Sequence, residues 1–310
     1  MIDASTGSTN LLDHINDMVQ SEFGKGKVAD YIPALARVPA NQFAMALYAV
    51  DGTVLTTGDA NRAFSIQSLS KLFALQLLIS QTGDSVWTRV GKEPSGGAFN
   101  SQIILEQDQG VPRNPFLNAG AIVVADMLKS HGRHQPDRLL KYLRGLSGNA
   151  TLEINREVLE SELAHADINR GLANLMKAHG RIDGDIETLL EIYCGQCAIE
   201  MSCVDLARAA LPLANSGRIA ASEESVITES QAKRINAVML TCGMYDAVGS
   251  FAYRVGLPAK SGVGGGIVAV APGKYAVAVW APELDRSGNS YVGTAALAYL
   301  TEMTGTSIFL

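Results

Sequence analysis

Strand-like segments lie at both ends of this 310-residue chain, and the long stretch between them carries helical spacing. In the first pair of segments, Asp51-Gly52 separates two β-rich runs, which is typical of a hairpin turn. Because five paired strands are more stable together than two separate hairpins, we expect one antiparallel sheet of about five strands from both chain ends. The segments predicted as strands are residues 43–50, 53–57, 251–255, 266–271 and 275–281.

Between residues 70 and 241, apolar residues recur at intervals of three and four, as in helices that bury one face. An amphipathic helix is also predicted from Leu11 to Val19, capped by Ser8 or Thr9, and a last helix from Ser290 to Thr304. The sequence therefore predicts an α+β fold whose sheet is flanked by helices and carries an all-helical inserted subdomain. The expected division is 1–72 plus 240–310 for the sheet subdomain and 73–239 for the helical one, with the active site between them.

Composition excludes several classes of protein. Hydrophobic residues make up 47% of the chain, which argues against disorder, and the net charge of −6 argues against nucleic-acid and anionic-membrane partners. No apolar run approaches the roughly 20 residues of a membrane span. The first residues show no secretory pattern, and three of the four cysteines lie within ten residues, a poor disulfide framework. We expect a cytoplasmic protein with reduced thiols.

Cofactor and metal motifs fit poorly. The glycine-rich run 262–267 ends in Ile267 where the dinucleotide fingerprint needs glycine, and a strand pattern follows it. Cys194 and Cys197 have thiol-redox spacing, but they follow a helical pattern rather than open one. The sequence predicts no cofactor and no metal, since ligand spacing is absent among the histidines, which are His14, His131, His134, His165 and His179.

The strongest chemical signal is Ser68-Leu69-Ser70-Lys71, which opens an apolar helical pattern. Residues three apart on a helix share a face, with Cβ atoms roughly 5–6 Å apart. The Lys71 amine could accept a proton from Ser68 only if burial or a neighbouring cation lowered its pKa. At a helix N-terminus, the Ser68 N–H and the helix dipole would also favour a developing oxyanion.

A second element, Lys260-Ser261-Gly262, is predicted at a strand end before three further glycines, Gly264 to Gly266. Such an edge strand can lay its backbone N–H groups along a substrate, because glycine allows close approach. Ser-x-x-Lys early and Lys-Ser-Gly late, on either side of a helical insertion, is the order of the penicillin-recognising serine enzymes.

Four longer segments resemble the serine-dependent glutaminase family, which has the β-lactamase/transpeptidase-like fold. The resemblance runs from about Val28 to the C-terminus. The segments are Ala-Asp-Tyr-Ile-Pro at 29–33, Phe-Ser-Ile-Gln-Ser-Leu-Ser-Lys at 64–71, Asn-Pro-Phe-Leu-Asn-Ala-Gly-Ala-Ile at 114–122 and Val-Gly-Leu-Pro-Ala-Lys-Ser-Gly-Val-Gly-Gly-Gly at 255–266.

The resemblance implies a role for each matching residue. Ser68 would be the acylated nucleophile and Lys71 its proton-transfer partner, with Tyr245 beside the serine. The backbone N–H groups of Ser68 and Val263 would hold the oxyanion. Glu162 would supply a carboxylate for the α-ammonium of the substrate. The implied substrate-binding set is Ser68, Asn118, Glu162, Asn169, Tyr193, Tyr245, Val263, Tyr31, Gln67 and Lys260.

The implied reaction is hydrolysis of L-glutamine to L-glutamate and ammonia through a γ-glutamyl-serine intermediate, in a homo-oligomer that is a dimer or a tetramer. Whether Lys71 or Tyr245 is the general base stays open. Two alternatives remain: a β-lactamase or D-Ala-D-Ala peptidase of the same fold, and a glutamine-binding protein without activity.

Overall fold

The computed structural model describes residues 11–96, 100–130, 137–220 and 224–310; the predicted cap at Ser8 or Thr9 and the histidines His131 and His134 lie outside them. The strands are β1 (Ala44–Ala49), β2 (Val54–Gly58), β3 (Phe64–Ser65), β4 (Glu200–Met201), β5 (Ala259–Ser261), β6 (Gly266–Ala271) and β7 (Tyr275–Trp280). The helices are α1 (Leu11–Val19), α2 (Pro33–Ala36), α3 (Ser70–Thr82), α4 (Gln102–Gln107), α5 (Asn118–Ser130), α6 (Arg138–Ser147), α7 (Arg156–Ala164), α8 (Asp167–Ala178), α9 (Ile186–Cys197), α10 (Cys203–Ala214), α11 (Glu229–Cys242), α12 (Val248–Arg254) and α13 (Tyr291–Thr304).

The main sheet has five strands in the order β2-β1-β7-β6-β5, and every neighbouring pair is antiparallel. Asp51-Gly52 turns the chain between β1 and β2, and Gly52 adopts φ +90°, a conformation that glycine reaches at little cost. Strands from the two chain ends meet where β1 pairs with β7. The prediction of one sheet built from both ends is confirmed.

One strand prediction is wrong. Residues 251–255 lie mostly in α12, and the fifth strand is the short β5 that follows. Phe251, Tyr253 and Val255 alternate as in a strand, yet only Phe251 and Val255 are buried, whereas Tyr253 is 97% exposed. A period of two over five residues cannot separate a short helix that buries one side from an edge strand, and tertiary packing decides between them.

The sheet is covered on both faces. Along β1, Met45 and Leu47 pack in one cluster with α1 and α13, whereas Ala44 and Ala46 pack in the other with α3, α5 and α10. This alternation follows from the two-residue period of a strand. Because helices lie on both faces, β6 and β7 are buried along their whole length.

The helical segment shares its apolar core with one face of the sheet. The capping boxes at Ser202 with Asp205 and at Thr228 with Gln231 are both formed, and they begin α10 and α11. The division into 1–72 plus 240–310 and 73–239 stays a prediction. Within the described ranges, no helix combines the length and the apolar character that a membrane span requires.

Candidate active site

Ser68 lies in a 3₁₀ turn, Gln67–Leu69, that runs directly into α3. Its side chain is nearly buried, at 9% exposure. The preceding residue, Gln67, has φ +49°, a left-handed conformation that a non-glycine residue holds only when its surroundings fix it. Such strain is typical of functional sites.

Lys71 lies one helical turn after Ser68 and is buried, at 2% exposure. Its Nζ donates to Asn118 Oδ1 at 2.6 Å and to the Phe116 carbonyl at 3.3 Å. Burial lowers the pKa of Lys71 to about 8, while the nearby Cys197 and Glu162 act in the opposite direction. This amine therefore changes its charge close to neutral pH.

Asn118 connects Lys71 to the helical segment. It begins α5, and its Nδ2 donates to Asn169 Oδ1 on α8 at 3.0 Å. The approach to Asn118 is fixed by Asn114, whose Oδ1 accepts from the N–H groups of Phe116 at 3.0 Å and Leu117 at 3.1 Å. Asn114 is therefore part of the support for the site, a role that the sequence signalled only through its place in the 114–122 segment.

Glu162 reaches the same region from α7 and is hydrogen-bonded to the Gln67 side chain. Burial raises the pKa of Glu162, and both the Gln67 bond and the charge of Lys71 oppose that rise. Glu162 Oε1 is buried and has no hydrogen-bond partner within the described part of the chain. Because an unpaired buried oxygen is costly, this atom is suited to accept from a cationic ligand.

Tyr245 approaches from the other side of the cleft, at the start of a 3₁₀ turn, Tyr245–Ala247. Its backbone has φ +50°, so it is a second non-glycine residue of the site in the left-handed region. The hydroxyl is hydrogen-bonded to the Ser68 side chain and donates over 3.4 Å to the Ser261 carbonyl. Burial raises the pKa of Tyr245 to about 12, so the phenol keeps its proton at neutral pH.

Lys260 lies on β5 and is fully buried. Its Nζ donates to the Gly243 carbonyl at 3.1 Å and to the Ser261 carbonyl, and it lies 4.4 Å from the centre of the Tyr245 ring. Burial, and then the charge of Lys71, lowers the pKa of Lys260 well below its usual value. The substrate contact predicted for Lys260 stays a prediction; the bonds that its Nζ makes here are to main-chain carbonyls beneath Tyr245.

The glycines after β5 bring the strand end against the serine turn. A methyl group on Gly262 would lie 2.8 Å from the Ile66 carbonyl oxygen and 3.3 Å from the Ser68 nitrogen. Val263, the next residue, belongs to an apolar cluster with Ile32 and Leu35, and Tyr245 packs against this cluster. Close approach of the strand end to the serine turn therefore requires glycine at 262, whereas the predicted approach of this strand to a substrate stays a prediction.

The two remaining tyrosines differ in exposure. Tyr193 lies within α9, is nearly buried and is hydrogen-bonded to Cys197. It interacts electrostatically with Glu162 and Tyr245, and burial raises its pKa well above the usual value. Tyr31 is 56% exposed and interacts with the same two residues from the rim of the site. The ten predicted residues therefore lie in one region, joined by hydrogen bonds, packing or electrostatic interactions, and their roles stay predictions.

Together these groups have the components of nucleophilic catalysis: a hydroxyl held by a phenol, an amine with a near-neutral pKa and an unpaired carboxylate oxygen. The cysteines of the 194–197 motif both lie in α9, buried and as free thiols. Across the described ranges, no group of three or more His, Cys, Asp or Glu side chains is placed to hold a metal ion.

Known proteins match this chain along nearly its whole length. A model of the glutaminase family matches residues 26–309. The chain belongs to the glutaminase family. A glutaminase from Caulobacter vibrioides (strain NA1000 / CB15N) is 54% identical over 299 residues, covering 96% of this chain and 97% of the relative.

Solved structures also match this chain. A probable glutaminase, ybaS, superposes with a TM-score of 0.90 at 34% identity, covering 96% of this chain and 98% of that one. A probable glutaminase from Bacillus subtilis complexed with 6-diazo-5-oxo-L-norleucine superposes with a TM-score of 0.87 at 33% identity, covering 98% of both chains. The predicted α+β fold of the β-lactamase/transpeptidase type is confirmed for this glutaminase-family chain.

Proposed function

We propose that this protein hydrolyses L-glutamine to L-glutamate and ammonia, with Ser68 as the nucleophile. The observation that carries the proposal is the pairing of Ser68 with two groups of different pKa in a chain of the glutaminase family. Tyr245 contacts the hydroxyl and stays protonated, while Lys71, one turn away, has a pKa of about 8. A base poised near the operating pH is the most effective proton acceptor.

The reaction follows from these positions. Ser68 Oγ attacks the γ-carboxamide carbon, and its proton passes to the neutral Lys71 amine. The N–H groups of Ser68 and Val263 hold the oxyanion, which is worth about 10²–10³ in rate for each donor in other enzymes. Collapse expels ammonia, which takes a proton from Lys71 through Tyr245. Neutral Lys71 then takes a proton from the water that attacks the γ-glutamyl ester, and this proton passes to Ser68 Oγ as the ester bond breaks and glutamate leaves.

Substrate selection would depend on the groups that bind the α-ammonium and the α-carboxylate of the substrate. We assign the α-ammonium to Glu162, because Oε1 is buried without a partner. Asn118, Asn169 and Tyr193 would hold the α-carboxylate, Gln67 would orient Glu162, and Tyr31 would cover the ligand from the rim. For Lys260 we favour support of Tyr245 over substrate contact, since Nζ already faces two main-chain carbonyls.

The test compares ammonia release from L-glutamine, L-asparagine and D-glutamine by the wild type, Ser68→Ala and Ser70→Ala. Ser70 is the matched control, because it is buried in the same motif and contacts Cys197 Sγ at 4.0 Å. We expect release from L-glutamine alone, loss in Ser68→Ala and retention in Ser70→Ala. No release by the wild type, with glutamine binding retained in calorimetry, would replace the enzyme with a binding protein. Nitrocefin turnover would favour a β-lactamase.

Covalent trapping adds a second readout. The compound 6-diazo-5-oxo-L-norleucine carries a diazoketone that alkylates nucleophiles with loss of N₂. We expect the adduct on the peptide that contains Ser68 and no adduct in Ser68→Ala. An adduct on another residue would remove Ser68 from the role of nucleophile.

We further propose that the enzyme acts in the cytoplasm as a homo-oligomer. The four cysteines are free and buried, as expected in a reducing compartment. Large exposed apolar side chains on α12 and the last residues offer contact area; they are Tyr253, Ile308, Phe309 and Leu310. Light scattering after gel filtration should give a multiple of 32.8 kDa, and a mass of 32.8 kDa would contradict an oligomer.

A further inference from the structure

A tight turn formed by residues 285–289 lies against the reactive side of Tyr245. Asp285 closes it: Oδ1 accepts from the N–H groups of Ser287 at 2.8 Å and Asn289 at 3.0 Å, and the Asp285 N–H donates to the Asn289 carbonyl at 2.7 Å. A methyl group on Gly288 would lie 3.8 Å from Tyr245 Cε2 and 3.9 Å from Val263 Cγ1. The turn therefore packs beside two groups of the proposed reaction.

Asn289, the last residue of this turn, is buried, at 1% exposure. Its Oδ1 accepts from Ser261 Oγ at 2.6 Å, and its Nδ2 donates to the Met244 carbonyl at 3.3 Å. Met244 immediately precedes Tyr245, and the Ser261 carbonyl accepts from the Tyr245 hydroxyl. One amide thus holds both the backbone before the tyrosine and the strand residue that its hydroxyl contacts.

Tyr245 needs such support because its backbone is in the left-handed region, at φ +50°. Strained conformations of this kind persist only where the surroundings over-determine them. The N–H of Ser261 donates a further hydrogen bond to the Gly243 carbonyl at 3.2 Å. The segment before Tyr245 is therefore hydrogen-bonded to β5, and β5 is hydrogen-bonded to Asn289 through the Ser261 side chain.

We propose that Asn289 is a positioning residue for Tyr245, holding the tyrosine hydroxyl at Ser68 through bonds to Ser261 and the Met244 carbonyl. The inference rests on the proposed function and extends it to a residue outside every sequence motif. Asn289 acts on the geometry of the reacting groups and does not itself contact the substrate. Its loss should lower kcat with little change in KM, because the groups that bind the amino-acid head lie elsewhere.

The experiment is a double-mutant cycle in ammonia release, with the wild type, Asn289→Ala, Tyr245→Phe and the combined variant. A misplaced catalytic group can cost about 10² in rate, so we expect Asn289→Ala alone to lower kcat by about tenfold to a hundredfold. In the Tyr245→Phe background, where no hydroxyl remains to be placed, the same change should lower kcat by less than about threefold.

Asn236→Ala is the matched control for a purely structural loss. Asn236 is also a buried asparagine that donates to a main-chain carbonyl, that of Leu213 at 2.9 Å, and it lies away from Ser68. It should lower the unfolding temperature without a selective effect on kcat. If Asn289→Ala does not fold, Ser261→Ala replaces it in the cycle, because it removes only the hydroxyl that Asn289 holds.

Equal factors for Asn289→Ala in both backgrounds would overturn the positioning role, as would full activity of Tyr245→Phe. An effect of Asn289→Ala confined to KM would also contradict it. Failure of the proposed function has a different signature, since the wild type itself would then release no ammonia from L-glutamine.

Discussion

The two buried lysines of the site come from opposite sides of the cleft and differ in what surrounds them. Lys71, on α3, donates to the Asn118 side chain and the Phe116 carbonyl and lies near Glu162. Lys260, on β5, donates to the main-chain carbonyls of Gly243 and Ser261 and feels the positive charge of Lys71. Burial lowers the pKa of both, to about 8 for Lys71 and well below the usual value for Lys260.

The difference shows that two lysines in one site can have different roles, one in proton exchange and one in hydrogen bonding. A nearby carboxylate partly offsets the burial of Lys71, so this amine exchanges protons near neutral pH. Lys260 has the positive charge of Lys71 nearby instead, which lowers its pKa further, and its Nζ serves as a hydrogen-bond donor to main-chain carbonyls beneath Tyr245. We therefore assign the chemistry to the helix side, formed by the Gln67–Leu69 turn and α3, and the support to the strand side, formed by β5 and Gly262–Gly266.

The largest effect should come from the helix side at Ser68. We expect Ser68→Ala to lower kcat by about 10⁴-fold or more, because loss of a nucleophile removes the covalent route. Initial rates of ammonia release at saturating L-glutamine would measure it. Substantial activity in Ser68→Ala would move the chemistry away from the helix side and break the comparison.

A comparison of the variants Lys71→Met and Lys260→Met directly tests the different roles assigned to the two lysines. Removing a general base typically costs about 10²–10⁴ in rate, so Lys71→Met should be severely impaired. Lys260→Met should keep more activity, with a loss of about tenfold and a stability loss of about 1–3 kcal/mol from the two hydrogen bonds to main-chain carbonyls that it removes. Steady-state kinetics and thermal unfolding of both variants give the answer. Equal kinetic losses would make the assignment of roles wrong.

The pH dependence follows from the same assignment. A base works in its neutral form, so kcat/KM should rise with pH and level off above about 8, the pKa of Lys71. Lys260→Met leaves Lys71 in place and should keep the rise. A profile in Lys71→Met that still rises with a midpoint near 8 would assign the titration to another group.

Much of the fold and of the candidate site could be predicted from the sequence because these features depend on local signals. Asp51-Gly52 requires a hairpin, the pairs Ser202 with Asp205 and Thr228 with Gln231 begin helices, and the Ser68–Lys71 spacing places both on one turn. The prediction that strands from both chain ends share one sheet followed from the need to pair them, whereas the strand order β2-β1-β7-β6-β5 is known only from the structure.

The remainder depends on contacts between distant segments. Residues 251–255 alternate like a strand, and only packing shows that they form part of a helix. Asn289 stands 44 residues after Tyr245, and nothing around it signals a site, since its bonds to Ser261 and Met244 exist only in the folded chain. The orientation of Lys260 beneath Tyr245 likewise depends on where Gly243 lies.

Glu162→Gln should have a smaller effect that sharpens the comparison. Losing a charged partner of the substrate ammonium costs about 1.5–3 kcal/mol, so KM should rise about tenfold to a hundredfold. Glu162 also raises the pKa of Lys71, so the midpoint of the kcat/KM profile should move to lower pH. Unchanged KM with reduced kcat would give Glu162 a part in the chemistry. An unmoved midpoint would place the charge of Glu162 too far from Lys71 to matter.

The most direct measurement is the titration of the two amines by NMR on protein labelled at lysine ¹³Cε, with Lys71→Met and Lys260→Met to assign the signals. We predict that the Lys71 signal titrates with a midpoint near 8 and that the Lys260 signal titrates well below the usual pKa of a lysine amine. Two signals that both titrate near 10, as lysines in water do, would contradict the division of roles between the helix side and the strand side.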